Sequence, residues 1–284
     1  MKTNHASATP QTRTERLWFW PIILAAVALM ILGAAVPFAF AEEEEEEIPF
    51  DEAAIYFELN NTDGDLGIHA LIDGEPWKRL EIEDPNERRM LGVNVRGRLR
   101  RQGLTEFFFE SAEPTFDELS PQRFFKRFPE GVYEIEGITL EGDELESEVW
   151  VSQVMPAPAM IWLTSGAETV PAAENCDVEL PKFDADDTIV IRWDPVLASH
   201  PDLGDEGSIE VQNYEVVVEI DDTPWKMSII LSPDDIQFEI PQEILALAEF
   251  DEEGEAEVKF EVLVRAVNYN QTAVESCFVI ERED

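Results

Sequence analysis

Histidine and cysteine are scarce in this 284-residue chain, at three and two copies, and 20 basic side chains face 62 acids. Each scarcity excludes something. Beyond the first stretch of the chain the histidines are His69 and His200, and neither has a motif partner. No H-E-x-x-H, G-x-S-x-G, C-x-x-C or P-loop sequence occurs, so none of the chemistries those spacings serve has its motif here. The formal net charge of −42 opposes nucleic acid and anionic membranes as main partners, because phosphates would be repelled over most of the surface. Hydrophobic residues are not lacking: at 44% they separate the chain from disordered acidic tails. The length fits about two domains behind a leader.

Lys2, Arg13 and Arg16 precede an apolar run from Leu17 to Phe40, which ends Ala39-Phe40-Ala41. This is the layout of a secretory signal peptide, 1–41, with small residues at −3 and −1. Cleavage after Ala41 leaves an acidic run, Glu42 to Glu47. Retained instead, the same apolar run is long enough to anchor the chain in a bilayer. The leader has no lipoprotein cysteine and no twin arginine, and no apolar tail follows at the C-terminus. Removing its three bases and one acid leaves 61 acids and 17 bases, so the acidity belongs to the exported part. The expected compartment is secreted or periplasmic. There, an even pair of cysteines, Cys176 and Cys277, is most simply a disulfide; the alternative is two buried thiols.

From residue 48 the pattern is mostly short strands. Ile55 to Leu59 precedes a polar turn, Asn60 to Gly64. Ile68 to Ile72 leads into Asp73-Gly74, a hairpin signal, with Trp77 to Ile82 as the returning strand. Leu91 to Leu99, Thr105 to Glu110, Val132 to Leu140 and Leu145 to Val154 follow. Such spacing argues for a sandwich or barrel. One helix interrupts it: Ser120-Pro121 supplies an N-cap and a first-turn proline, and Phe124 and Phe128 share a face that plugs the core. Pro156-Ala157-Pro158 reads as a stiff linker. The segments are therefore a first sandwich over 48–155 and a second over 156–284.

The second half reads Cys176 to Leu180, Thr188 to Trp193, Tyr214 to Ile220, Trp225 to Leu231, Ile236 to Ile240, Val258 to Val267 and Ala273 to Ile280. Ile189-Val190-Ile191-Arg192-Trp193-Asp194-Pro195 resembles the second strand of a fibronectin type III domain, with its core tryptophan. Tyr214 to Val218 resembles the third. Phe260-Glu261-Val262-Leu263-Val264-Arg265-Ala266-Val267-Asn268 is similar to the sixth, Y-x-V-x-V-x-A-x-N, with Phe260 in place of the tyrosine and so without its hydroxyl bond. The cysteine pair also departs from most such modules. The resemblance covers about 160–284; it implies an Ig-like β-sandwich, a fold that many functions share. The first half resembles uncharacterised secreted bacterial proteins, which supplies no activity. An internal echo, Ile72-Asp73…Pro76-Trp77-Lys78 and Ile220-Asp221…Pro224-Trp225-Lys226, would place Trp77 and Trp225 alike in two such sandwiches.

The fold expectation is all-β: two tandem Ig-like, fibronectin type III-like sandwiches, with one short helix in the first. For ions, Asn60, Thr62, Asp63 and Asp65 set oxygen ligands around Gly64 at spacings a calcium ion can use, although a plain polar turn gives the same pattern. For contacts, Arg96, Arg98 and Arg100 alternate on an expected strand and share a face, pairing with Glu134 or Glu136 or docking an acidic partner. Trp77 and Trp225 are candidates for sugar stacking, with Trp150 and Trp193 assigned to cores. The expected function is a non-enzymatic binding or interaction protein with an extracellular protein or glycan partner and no cofactor beyond calcium. The alternative is a polysaccharide-acting enzyme, or its carbohydrate-binding accessory, built on a carboxylate pair.

Overall fold

The computed structural model describes residues 48–282; the leader and the glutamate run lie outside the described residues. Among those described, no helix is long and apolar enough to cross a membrane. The architecture is all-β, in two sheets.

The first half is built around one exceptional strand. β1 (Glu52–Asn60) pairs antiparallel with β2 (Asp65–Glu83), which runs 19 residues without a turn. The expected hairpin at Asp73-Gly74 is therefore corrected: both residues lie inside β2. Gly74 is needed for packing instead, because a Cβ there would sit 3.0 Å from the Phe50 ring. Up to Asp73, β2 lies between β1 and β4 (Leu104–Glu110). After a register shift it pairs with β3 (Arg89–Asn94) and β5 (Gly131–Thr139), and β6 (Glu144–Val151) adds outside β5. The strand thus exchanges its partners where Asp-Gly interrupts the apolar pattern. Ile55, Phe57, Leu59, Ile68, Trp77, Leu80, Tyr133 and Val151 fill the enclosed core. α1 (Pro121–Arg127) sets Phe124 and Phe125 edge-on against Phe57, and Phe128 packs on Phe124. Ser120 occupies the N-cap position but its hydroxyl makes no capping bond.

The chain leaves the first core at Met155 and enters a second at Ala159. There, β7 (Ile161–Ser165), β8 (Glu168–Pro171), β10 (Ile189–Trp193) and β13 (Gln237–Glu239) form a four-stranded sheet in the order β13-β10-β7-β8. Opposite it run β12 (Lys226–Leu231), β11 (Val211–Ile220), β14 (Glu255–Ala266) and β15 (Gln271–Glu281), with β9 (Lys182–Asp184) parallel to β15. This order, with the two sheets facing across one core, is the fibronectin-like sandwich the motifs imply. Trp193 is buried against Tyr214, whose hydroxyl accepts a bond from the Val196 amide. Phe260, in the tyrosine position, packs on Phe278. Cys176 and Cys277 are bonded, tying the loop before β9 to β15; the strand expected over Cys176 to Leu180 is that loop.

The two halves share a sheet. β1 pairs parallel with β15 through Glu58–Gln271, Leu59–Thr272 and Asn60–Ala273, so eleven strands join across both cores. Fully buried Asn270 fastens this junction: its Oδ1 accepts from the Phe57 amide, and its Nδ2 donates to the Ser152 and Val154 carbonyls. Leu203, from the loop after β10, packs in the first core.

Candidate functional site

The arginine stripe is not on a strand. β3 ends at Asn94, buried Val95 closes it through a bond to the Lys78 carbonyl, and Gly97 turns the chain with φ +67°. Arg96 and Arg98 lie on this loop, and Arg100 and Arg101 lie in the 3-10 turn Leu99–Arg101. All four are exposed. Among the described residues none is in an ion pair, with Glu134 and Glu136 or with anything else. By contrast Arg79 and Arg89 hold Glu81, Arg88 holds Asp84, and Lys182, Lys226 and Lys259 each hold a glutamate.

The tryptophans separate by strand position. Trp77 is fully buried in β2 and its indole N–H donates to the Thr105 carbonyl, so no sugar can stack on it. Trp225 is 50% exposed in the β11–β12 hairpin, so the internal echo does not place the two alike. Trp150, assigned to the core by its sequence, is 60% exposed: it alternates with buried Val151 along β6 and so lies on the face turned away from the core. Trp162 lies opposite Arg192 beside Gln237, over a groove of about 500 Å³.

At the β1–β2 turn, Asn60 Oδ1 accepts the Thr62 and Asp63 amides while its Nδ2 donates to Asp63 and Glu275. The Thr62 hydroxyl bridges the Glu275 backbone. Two of the four calcium candidates are thus engaged in holding the turn to β15. Asp65 stands apart: its Oδ1 is buried without a partner. Burial, with Glu113, Asp63 and Glu275 nearby, pushes its carboxyl up to about 6.

Asp65 belongs to a polar layer on the face of the shared sheet that points away from both cores. The strand register sets Tyr56 and Glu58 of β1 beside His69 and Gly67 of β2 and Gln271 of β15. Buried His69 lies between Glu58 and Glu113, with Nε2 3.1 Å from Glu113 and Nδ1 3.5 Å from Glu58. Burial also raises the Glu58 carboxyl, opposed by His69 and by the Gln271 amide, which donates to it. Sequence reading left out Glu58, Glu113 and Gln271; they come from distant segments, and no local pattern marks them.

A second carboxylate pair lies further along. Glu261 and Glu275 are cross-strand partners. Burial, then Glu275 and Glu58, push Glu261 up to about 8, whereas Lys259 Nζ sits 2.5 Å from Glu275. Two carboxyls with divergent environments are what acid–base chemistry needs. The space above them is about 100 Å³, well short of the several hundred Å³ that ligand pockets occupy. A sugar ring has no room there.

No family model and no curated protein matches the chain. Among solved structures, it resembles the FN1–FN3 domains of chicken CNTN1, with a TM-score of 0.32 and 9% identity. That alignment covers 83% of this chain and 65% of the other, so the chain spans about two thirds of that segment. It also resembles a two-domain fibronectin type III segment of chicken tenascin, at 0.25 and 8% identity over 81% and 97%, and a bacterial ice-binding adhesin, at 0.24 and 9% over 84% and 66%. At such scores the strand order, rather than these likenesses, carries the description of the fold.

Proposed function

We propose that this chain is an exported, non-enzymatic binding protein that engages a polyanionic extracellular partner, such as an acidic glycan or acidic protein surface, through the loop bearing Arg96, Arg98, Arg100 and Arg101. The observation that carries this is their lack of ion pairs among the described residues of a chain with three acids for every base. Six other basic side chains here hold a carboxylate, whereas these four exposed guanidinium groups stand together on one short loop. Guanidinium groups bind sulfate and carboxylate bidentately, and a rigidly anchored loop loses little freedom on binding. The acidic remainder repels polyanions elsewhere, so contact is confined to the loop. The disulfide and the leader sequence support export.

Retention on a sulfated-polysaccharide column at low salt tests the reading. The wild-type chain is retained and the Arg96→Ala/Arg98→Ala/Arg100→Ala variant elutes early; equal elution of the two would end it. A calcium ion at Asp63 and Asp65 is a separate proposal, tested by a calcium-dependent thermal shift that Asp63→Ala/Asp65→Ala removes.

A further inference from the structure

We propose that Glu58, His69 and Glu113 form a binding site for a divalent transition-metal ion of the zinc class. One ligand atom from each lies within 4.8 Å of the other two. Donors around a tetrahedral zinc at about 2.0–2.2 Å stand about 3.4 Å apart, so small side-chain rotations close the set. One imidazole nitrogen among carboxylates suits zinc or a neighbouring transition ion, whereas calcium takes six or more oxygens.

Three observations point to a missing cation. First, both ring nitrogens of His69 face carboxylates. A neutral imidazole has one N–H and one lone pair, so one carboxylate would meet a lone pair. Second, the surroundings are anionic from every packed element: Glu58 on β1, Asp65 on β2, Glu110 opposite His69 on β4, Glu113 on the following loop and Glu275 on β15. The nearby cations are already engaged, Lys259 with Glu275 and Arg265 over the Tyr56 ring. A proton on His69 alone leaves carboxylates in excess. Third, three buried side-chain polar atoms lack a hydrogen-bond partner among the described residues, and two are acceptor oxygens at this cluster, Asp65 Oδ1 and Gln271 Oε1. Gln271 is almost wholly buried and its amide lies against Glu58.

The backbone is shaped for the cluster. A Cβ at Gly67 would overlap the Glu113 carboxylate, so only glycine lets Glu113 lie across β2 to reach His69. The other metal-competent group, Cys176, Glu257 and Cys277, offers no thiolate because its sulfurs are bonded to each other. The site is independent of the arginine loop, and either proposal can fail alone.

The test uses the full, oxidised chain stripped with a chelator. Calorimetric titration with zinc is expected to give one equivalent bound, and cobalt(II) to give visible bands of a low-coordinate N/O site. His69→Gln and Glu113→Gln should each weaken zinc binding by more than about 100-fold, beyond what loss of an outer-shell partner causes. Arg96→Ala/Arg98→Ala/Arg100→Ala should leave it unchanged. Glu113→Gln sits on a loop outside the core, so its folding is checked by an unchanged far-UV spectrum. The proposal is overturned if zinc neither binds stoichiometrically nor raises the melting temperature, which makes His69 an imidazolium held by two carboxylates. It is equally overturned if zinc binding survives both substitutions, or if calcium binds there irrespective of His69.

Discussion

Replacing Asn270 by alanine should unlock the junction between the two halves. The side chain is fully buried and its amide serves three backbone groups. The Val154 carbonyl keeps a second donor, Asn268 Nδ2 at 3.0 Å, and so stays satisfied. The Phe57 amide and the Ser152 carbonyl lose the side-chain partner that water cannot replace. Each buried group left unpaired costs about 1–3 kcal/mol, which sets the loss at about 2–6 kcal/mol, with about 4 as the central figure. For a unit of this size, about 2–4 °C accompanies each kcal/mol, so the melting temperature should fall by roughly 8–16 °C. Equilibrium urea unfolding, monitored at matched protein concentration, measures the change through its midpoint. Asn94→Ala, on the exposed side of β3, is the control and should stay within about 0.5 kcal/mol. An Asn270→Ala midpoint within that same margin would refute the view that Asn270 holds the shared sheet together.

Other outcomes follow from the same geometry. Cys176→Ser/Cys277→Ser releases a crosslink across 101 positions, worth up to about 4.7 kcal/mol in the chain-entropy model, and urea unfolding of reduced wild type should match the variant. Gly204→Ala places a Cβ against the Gln153 carbonyl oxygen at φ +75° and should cost at least about 1 kcal/mol; an unchanged midpoint would contradict the close approach. Glu261 has a folded pKa of about 8 against an ordinary value of 4.5, so its contribution is intact below 4.5 and is lost as pH rises through 8. The urea midpoint should therefore fall between pH 5 and pH 8.5, and Glu261→Gln should flatten that fall; a variant with the wild-type slope would exclude Glu261 as its source.

Local pattern made part of this legible. The alternation in Ile189–Trp193 and Glu255–Ala266 reports one buried face, and Trp193 is the large side chain such a core requires. Two cysteines leave one simple pairing, which the structure contains. Other features have no local signature. Asp73-Gly74 looks like a hairpin, yet glycine serves there as clearance for Phe50, a residue more than twenty positions away. Gly97 could have broken the expected arginine strand, since a left-handed residue ends regular pairing. Trp150 and buried Val151 alternate on β6, and which of the two faces the core is set by the pairing register, which sequence spacing alone does not give. The parallel pairing of β1 with β15 joins residues 213 positions apart, as Glu58 and Gln271 show. Glu58 meets His69 through the β1–β2 pairing, Glu113 arrives from the loop after β4, and Gln271 comes through β15, which hides the acidic cluster from any sequence window.

The arginine loop is the proposed contact surface of this acidic protein. The most direct measurement is the affinity for a soluble sulfated polysaccharide as a function of salt concentration, in the wild type and in Arg96→Ala/Arg98→Ala/Arg100→Ala. The logarithm of the wild-type affinity should fall linearly with the logarithm of salt, and the variant should bind more weakly with a shallower slope. Wild-type binding with no salt dependence, or identical slopes for the two proteins, would contradict it.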